Sequence, residues 1–72
     1  MPEMISNTIA AALAEAGGRL RAVGADSPEL DARVLLRQVT GHEDAWLIAN
    51  PDAEIDRTAL QGYAELLERR ER

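Results

Sequence analysis

Seventy-two residues make one small domain, which buries only about 60% of its unfolded surface and is held together by a few kcal/mol. Eight arginines against thirteen acids leave a net charge of −5, the wrong sign for a nucleic-acid-binding face and a suitable one for docking on a basic protein surface. With no cysteine, no apolar stretch near the ~20 residues that span a bilayer, and no basic region ahead of an apolar core, the sequence offers no disulfide, thiolate metal site, membrane span or signal peptide.

A soluble cytoplasmic protein is therefore expected. Trp46 and Tyr63 are the only large rings, so the core must be aliphatic. Richness in alanine and leucine, without a long β-branched run, argues for helices.

The first helix is predicted from about Glu3 to Val23. Ile5, Ile9, Ala12, Leu13, Ala16, Leu20 and Val23 fall within about 100° of arc at helical periodicity. The pair Gly17-Gly18 interrupts the composition but not the phase, and Glu15 and Arg19 stand four apart across it. One helix is predicted to run through both glycines, whose missing side chains leave room for a neighbour to pack closely. Gly24 is its stop signal.

Ser27-Pro28-Glu29-Leu30-Asp31-Ala32-Arg33-Val34-Leu35-Leu36 opens the second helix, which extends to about Thr40 with Gly41 as its stop. Ser27 is an N-cap able to accept from a first-turn N–H, and Pro28 suits the first helical position. Glu29 and Asp31 complement the positive end of the helix dipole. Leu30 and Val34 face one way, while Ala32, Leu35, Leu36 and Val39 cover much of the opposite side. A helix apolar on two sides is buried between neighbours, which makes this one the centre of the domain. Asp31 lies between the two apolar patches and needs a partner, either first-turn N–H groups or an arginine.

A short helix is predicted over about Asp44 to Ala49, where Trp46 and Ile48 are too close in sequence for both to face the core. Asn50-Pro51-Asp52 is a turn. Asp56 is the next N-cap, with Ile55 and Leu60 placed as a hydrophobic staple. The last helix carries Leu60, Tyr63, Ala64 and Leu67 on one face, with Ala59 and Leu66 at its edge. Glu65–Arg69 and Glu68–Arg72 have i,i+4 spacing, and no C-cap or stop signal follows. The fold expected is all-α, a small bundle of four or five helices around a central second helix.

No catalytic, cofactor-binding or metal-ligating residue is read from this sequence. His42 is the only histidine and has no second one to share a metal; it is assigned no role. No two acids are forced together as general acid and base, and Gly17-Gly18 lies in a helix rather than between strand and helix. Gly24-Ala25-Asp26-Ser27 resembles the start of the second helix in acyl carrier proteins, where an Asp-Ser pair carries phosphopantetheine. Pro28 stands where those proteins have Leu or Met, Arg33 and Arg37 sit on a helix that is acidic in carriers, and the serine comes early. Ser27 is therefore read as an N-cap, with an acyl-carrier-like protein and a purely structural or adaptor bundle as the alternatives.

A broader resemblance covers almost the whole chain. Ser27 to Leu36, followed by Val39-Thr40-Gly41, resembles the "sPrlDAelLL…vlG" stretch in the N-terminal domain of the HemK/PrmC family of release factor glutamine methyltransferases. Ile9, Leu13, Leu20 and Gly24 are similar to the segment before it. Trp46 to Asp52 sits where that family has a short helix and a turn, and Leu60, Tyr63, Leu66, Leu67, Arg69 and Arg70 resemble a helix with an arginine-rich tail. The Asp-Ala-x-x-Leu-Leu core is the most specific of these; the others count through their order and spacing.

The resemblance implies a larger parent enzyme that transfers a methyl group from S-adenosylmethionine to a glutamine of peptide chain release factors. Its Rossmann-like catalytic domain, with a cofactor-binding glycine motif and an Asn-Pro-Pro-Tyr motif, would follow a Gly-x-Pro segment, and none of these is in the 72 residues. The chain is therefore expected to be the N-terminal domain alone, non-catalytic, with the release factor and its own downstream catalytic domain as partners. Neither nucleic acid nor membrane is an expected partner.

Overall fold

The computed structural model describes residues 7–71. Four helices occupy them: α1 (Ile9–Ala22), α2 (Pro28–Thr40), α3 (Asp44–Ala49) and α4 (Arg57–Arg70). Among the described residues there is no strand, only an isolated antiparallel bridge between Thr8 and Glu54. The all-α bundle expected from the sequence is the observed one, and α2 is its hub, packed against both α1 and α4.

Local chemistry explains most boundaries. Helix α1 runs unbroken through Gly17 and Gly18. Leu20, Val23, Gly24 and Ala25 close it: Gly24, at φ 83°, donates its N–H to the Arg21 carbonyl, and Ala25 donates to that of Leu20. These are the two hydrogen bonds of a Schellman ending, with the partly buried Ala25 against the core beside Leu20. Gly41, at φ 77°, ends α2 by donating to the Arg37 carbonyl at 2.8 Å.

The start of α1 differs from expectation. Glu3 and Ile5 lie outside the described residues, and Thr8 is an extended N-cap whose hydroxyl accepts from the Ala11 N–H at 3.3 Å. The other first-turn donors reach across the molecule: Ile9 N–H to the Ala53 carbonyl at 3.0 Å, and Ala10 N–H to that of Pro51 at 2.9 Å. Ile55 returns the connection by donating to the Asn7 carbonyl at 2.6 Å. The helix thus starts where the chain between α3 and α4 satisfies its orphan donors.

The core is aliphatic apart from Tyr63. It consists of Ile9, Ala12, Ala16 and Leu20 of α1, Ala32, Leu35 and Leu36 of α2, Leu47 of α3, and Leu60, Tyr63 and Leu67 of α4, with Ile55 ahead of α4. Ile55 and Leu60 are both buried, as a staple requires. Tyr63 is fully buried and donates its hydroxyl to the Ala32 carbonyl at 3.0 Å, joining α4 to α2. Burial, and secondarily the nearby charge of Glu15, raise its pKa above the ordinary tyrosine value of 10.0.

Four expectations are corrected. Helix α2 is buried on one side only: Leu30 is 47% exposed and Val34 half-buried, because α1 and α4 cover the Ala32–Leu36 side and no helix covers the other. Ser27 makes no side-chain capping bond. Its ψ is 69°, whereas Thr8 and Asp56, at ψ 154° and 163°, hold the extended geometry from which a side chain reaches the third N–H. Gly17 is buried and Gly18 exposed, but neither marks a close approach, since a Cβ at either would meet nothing within 4 Å; the close helix approach is at Gly62, whose Cβ would lie 3.3 Å from Val39. Finally, Arg19 forms its ion pair across the bundle with Glu71, not with Glu15, and Glu65 and Arg69 form none with each other.

Candidate functional site

Because α1 and α4 run alongside α2 in the opposite sense, each end of the bundle gathers termini of all three. One end holds the finish of α1, the start of α2 and the finish of α4. They surround an open cleft of about 540 Å³, lined by residues 23–27, Leu30, Asp31, Arg70 and Glu71. Val23 and Leu30, each about half exposed, supply its apolar surface.

The charged groups of this cleft are largely engaged with one another. Asp31, half-buried as its position on α2 requires, accepts from Arg70 at 3.2 Å; an arginine is thus the partner that the sequence demanded. Arg19 grips Glu71 with two hydrogen bonds, of 2.6 and 3.0 Å, which raise the arginine's pKa further above its ordinary value. Arg21 and Glu29 pair beside it. Ser27 sits at the cleft, its hydroxyl accepting no hydrogen bond from a first-turn N–H of α2.

The opposite end is built differently. There a pocket of about 120 Å³ lies between the start of α1, the finish of α2 and the start of α4. Ile9, Val39, Ile55 and Ala59 line its apolar part, and Trp46, His42, Glu54 and Asp56 complete it. His42, given no role by the sequence, stacks on Trp46 with ring centres 3.6 Å apart and planes 11° from parallel. Asp56 accepts from the Ala59 N–H at 2.8 Å as the predicted N-cap of α4. Among the described residues the Glu54 carboxylate has no hydrogen bond or ion pair, and Arg37 approaches Asp44 at 3.6 Å without a hydrogen bond.

A third groove, between α1 and α2, is lined by Leu13, Ala14, Glu29 and Arg33. The Nε of Arg33 is buried there without a partner.

Among the described residues no group of three or more His, Asp or Glu side chains is placed to hold a metal ion. No serine or threonine hydroxyl there bonds a histidine ring or a carboxylate. Nor is any described helix long and apolar enough to cross a membrane.

Comparison with known proteins decides the family. The PrmC N-terminal domain family matches residues 11–72. This chain belongs to that family. Relatives of this PrmC N-terminal domain include the release factor glutamine methyltransferase of Vibrio cholerae, 41% identical over 66 residues, which are 92% of this chain and 23% of that protein. The bifunctional methyltransferases of Rickettsia felis and Rickettsia conorii are 34% and 33% identical over 58 residues, 81% of this chain and 11% of each of those proteins. The chain thus spans between about a tenth and a quarter of the curated relatives it matches. No solved structure matches it.

Proposed function

We propose that this domain recognises and positions a peptide chain release factor for a catalytic domain elsewhere in the same protein. In this reading the catalytic domain, Rossmann-like, transfers a methyl group from S-adenosylmethionine to a glutamine side-chain amide in the cytoplasm. The 72 residues form the N-terminal domain and do no chemistry themselves.

One observation carries the reading. The relative named a release factor glutamine methyltransferase aligns with 92% of this chain through only 23% of its own length. The shared part is a helical module. At the larger cleft Asp31 is paired with Arg70 and Glu71 with Arg19. A net charge of −5 suits docking on a basic protein surface and disfavours nucleic acid.

The test compares methylation of release factor by the full enzyme and by its catalytic domain alone. Loss of this domain is expected to lower kcat/KM chiefly through KM. Equal kcat/KM for both would remove the recognition role.

A further inference from the structure

We propose that the pocket beside Trp46 binds one basic side chain, an arginine or lysine, of the protein partner. An arginine or lysine is an apolar stem with a charged head, and such side chains bury the stem while the head stays near water. The pocket has both halves of that chemistry. Ile9, Val39 and Ile55 offer aliphatic surface for a stem. Tryptophan is the best aromatic partner for a cation, and Trp46, held by its stack on His42, lines the same pocket. Two exposed carboxylates, Glu54 and Asp56, lie at it.

Among the described residues nothing neutralises those carboxylates. Glu54 has no hydrogen bond or ion pair among the described residues, and Asp56 accepts from Ala59 with Oδ1 alone. Arg57, the next residue, neither lines the pocket nor pairs with Glu54. Helix α2 ends at the pocket with Val39 and Thr40, so the negative end of its dipole is there. The positive end of α4 is offset by its Asp56 cap. The net charge of −5 draws a basic partner from a distance. At the large cleft, by contrast, Asp31 and Glu71 are each paired with an arginine and Asp26 alone has no ion pair among the described residues, while at the third groove the free group is a cation.

The proposal deepens the recognition role above and takes the partner's identity from it, whereas the chemistry of the pocket can be tested without the partner. The 72-residue chain is titrated with N-acetyl-arginine amide and N-acetyl-lysine amide, with the neutral citrulline and norleucine amides as controls. Trp46, the only tryptophan, reports through its fluorescence, and backbone amide shifts of Ile9 and Ala59 report location. The basic amides are expected to give a saturable response at these residues, with the neutral ones at least about tenfold weaker. The double variant Glu54→Gln/Asp56→Asn is expected to weaken binding about fivefold with an unchanged melting temperature, since Asn caps a helix as well as Asp. No saturable response, equal response to citrulline, preference for norleucine, or unchanged affinity of the double variant overturns the proposal. Failure here alongside a loss of kcat/KM on deleting the domain would discard the pocket and keep the recognition role.

Discussion

Where α1 and α4 finish and α2 begins, charged side chains hold one another: Asp31 with Arg70, Arg19 with Glu71, Arg21 with Glu29. Where α1 and α4 begin and α2 finishes, the single described pair, Arg37 with Asp44, is 3.6 Å apart without a hydrogen bond, and Glu54 has no partner. Both ends are made from the same three helices around one core. The difference teaches that the first end uses its charges internally, to fasten the last turn of α4 to α1 and α2. The second leaves acids and an aromatic pair facing outward, and is the better candidate for contact with another molecule.

The contrast concerns polar groups only, so the apolar layers beneath should be equivalent. Ile9→Ala at the Trp46 end and Leu20→Ala at the cleft end each remove a fully buried side chain. Each should cost about 2–5 kcal/mol, enough to unfold most of the population of a domain this small. Urea melts that found one of them nearly neutral would show that one end is not part of the core.

Between the two ends, Tyr63 provides a pH-dependent test. Its folded pKa is raised above the unfolded value of 10.0. The folded state therefore keeps a proton that the unfolded chain gives up, and this stability is complete below pH 10 and declines as pH rises beyond it. The slope is about 1.4 kcal/mol per pH unit. Tyr63→Phe should cost about 1 kcal/mol at pH 7 through the lost bond to Ala32, yet remove this alkaline decline. Denaturant melts from pH 7 to 11 measure both.

Caps sharpen the comparison further. Asp56→Ala at the Trp46 end removes a real capping bond and should cost about 1 kcal/mol, whereas Ser27→Ala at the cleft end should cost only a few tenths. Gly18→Ala should raise stability by about 0.5–1 kcal/mol, because a Cβ there meets nothing. Gly62→Ala should gain less, since Val39 must yield to it. The smallest effect belongs to the ion pairs: Arg70→Gln, or 1 M salt, should lower stability by about 0–1 kcal/mol, with the loss greater than for Arg37→Gln. Thermal melts that ranked these two the other way would break the contrast.

How much of this was legible in the sequence depends on the range of the cause. Pro28, Gly41, Asn50-Pro51 and Asp56 act within a few residues, so the bounds of α2 and α3 and the start of α4 could be read directly. Asp31 announced its need for a partner through its angle on the helix, but Arg70, thirty-nine residues on, was one choice among several. Which side of α2 is covered was not legible, because Leu30 and Val34 are as apolar as the residues that are buried. Nor was the missing cap at Ser27, which follows from a backbone angle and not from residue type. The Trp46 pocket was hidden for a related reason. It exists because the 50–56 connection bonds to the start of α1 through main-chain groups, which have no signature in side chains.

That main-chain clasp has a consequence for the order in which the domain becomes whole. The opening turn of a helix usually frays, and its amides exchange with solvent readily. In this chain the Ile9 and Ala10 amides are held by carbonyls more than forty positions later in sequence. A ribosome that has made only the first two helices cannot yet supply those carbonyls, so α1 gains its fixed beginning only once residue 53 has emerged. The first-made helix is thus finished only after α2 and α3 have been made, and its opening amides should exchange at the rate at which the whole bundle opens.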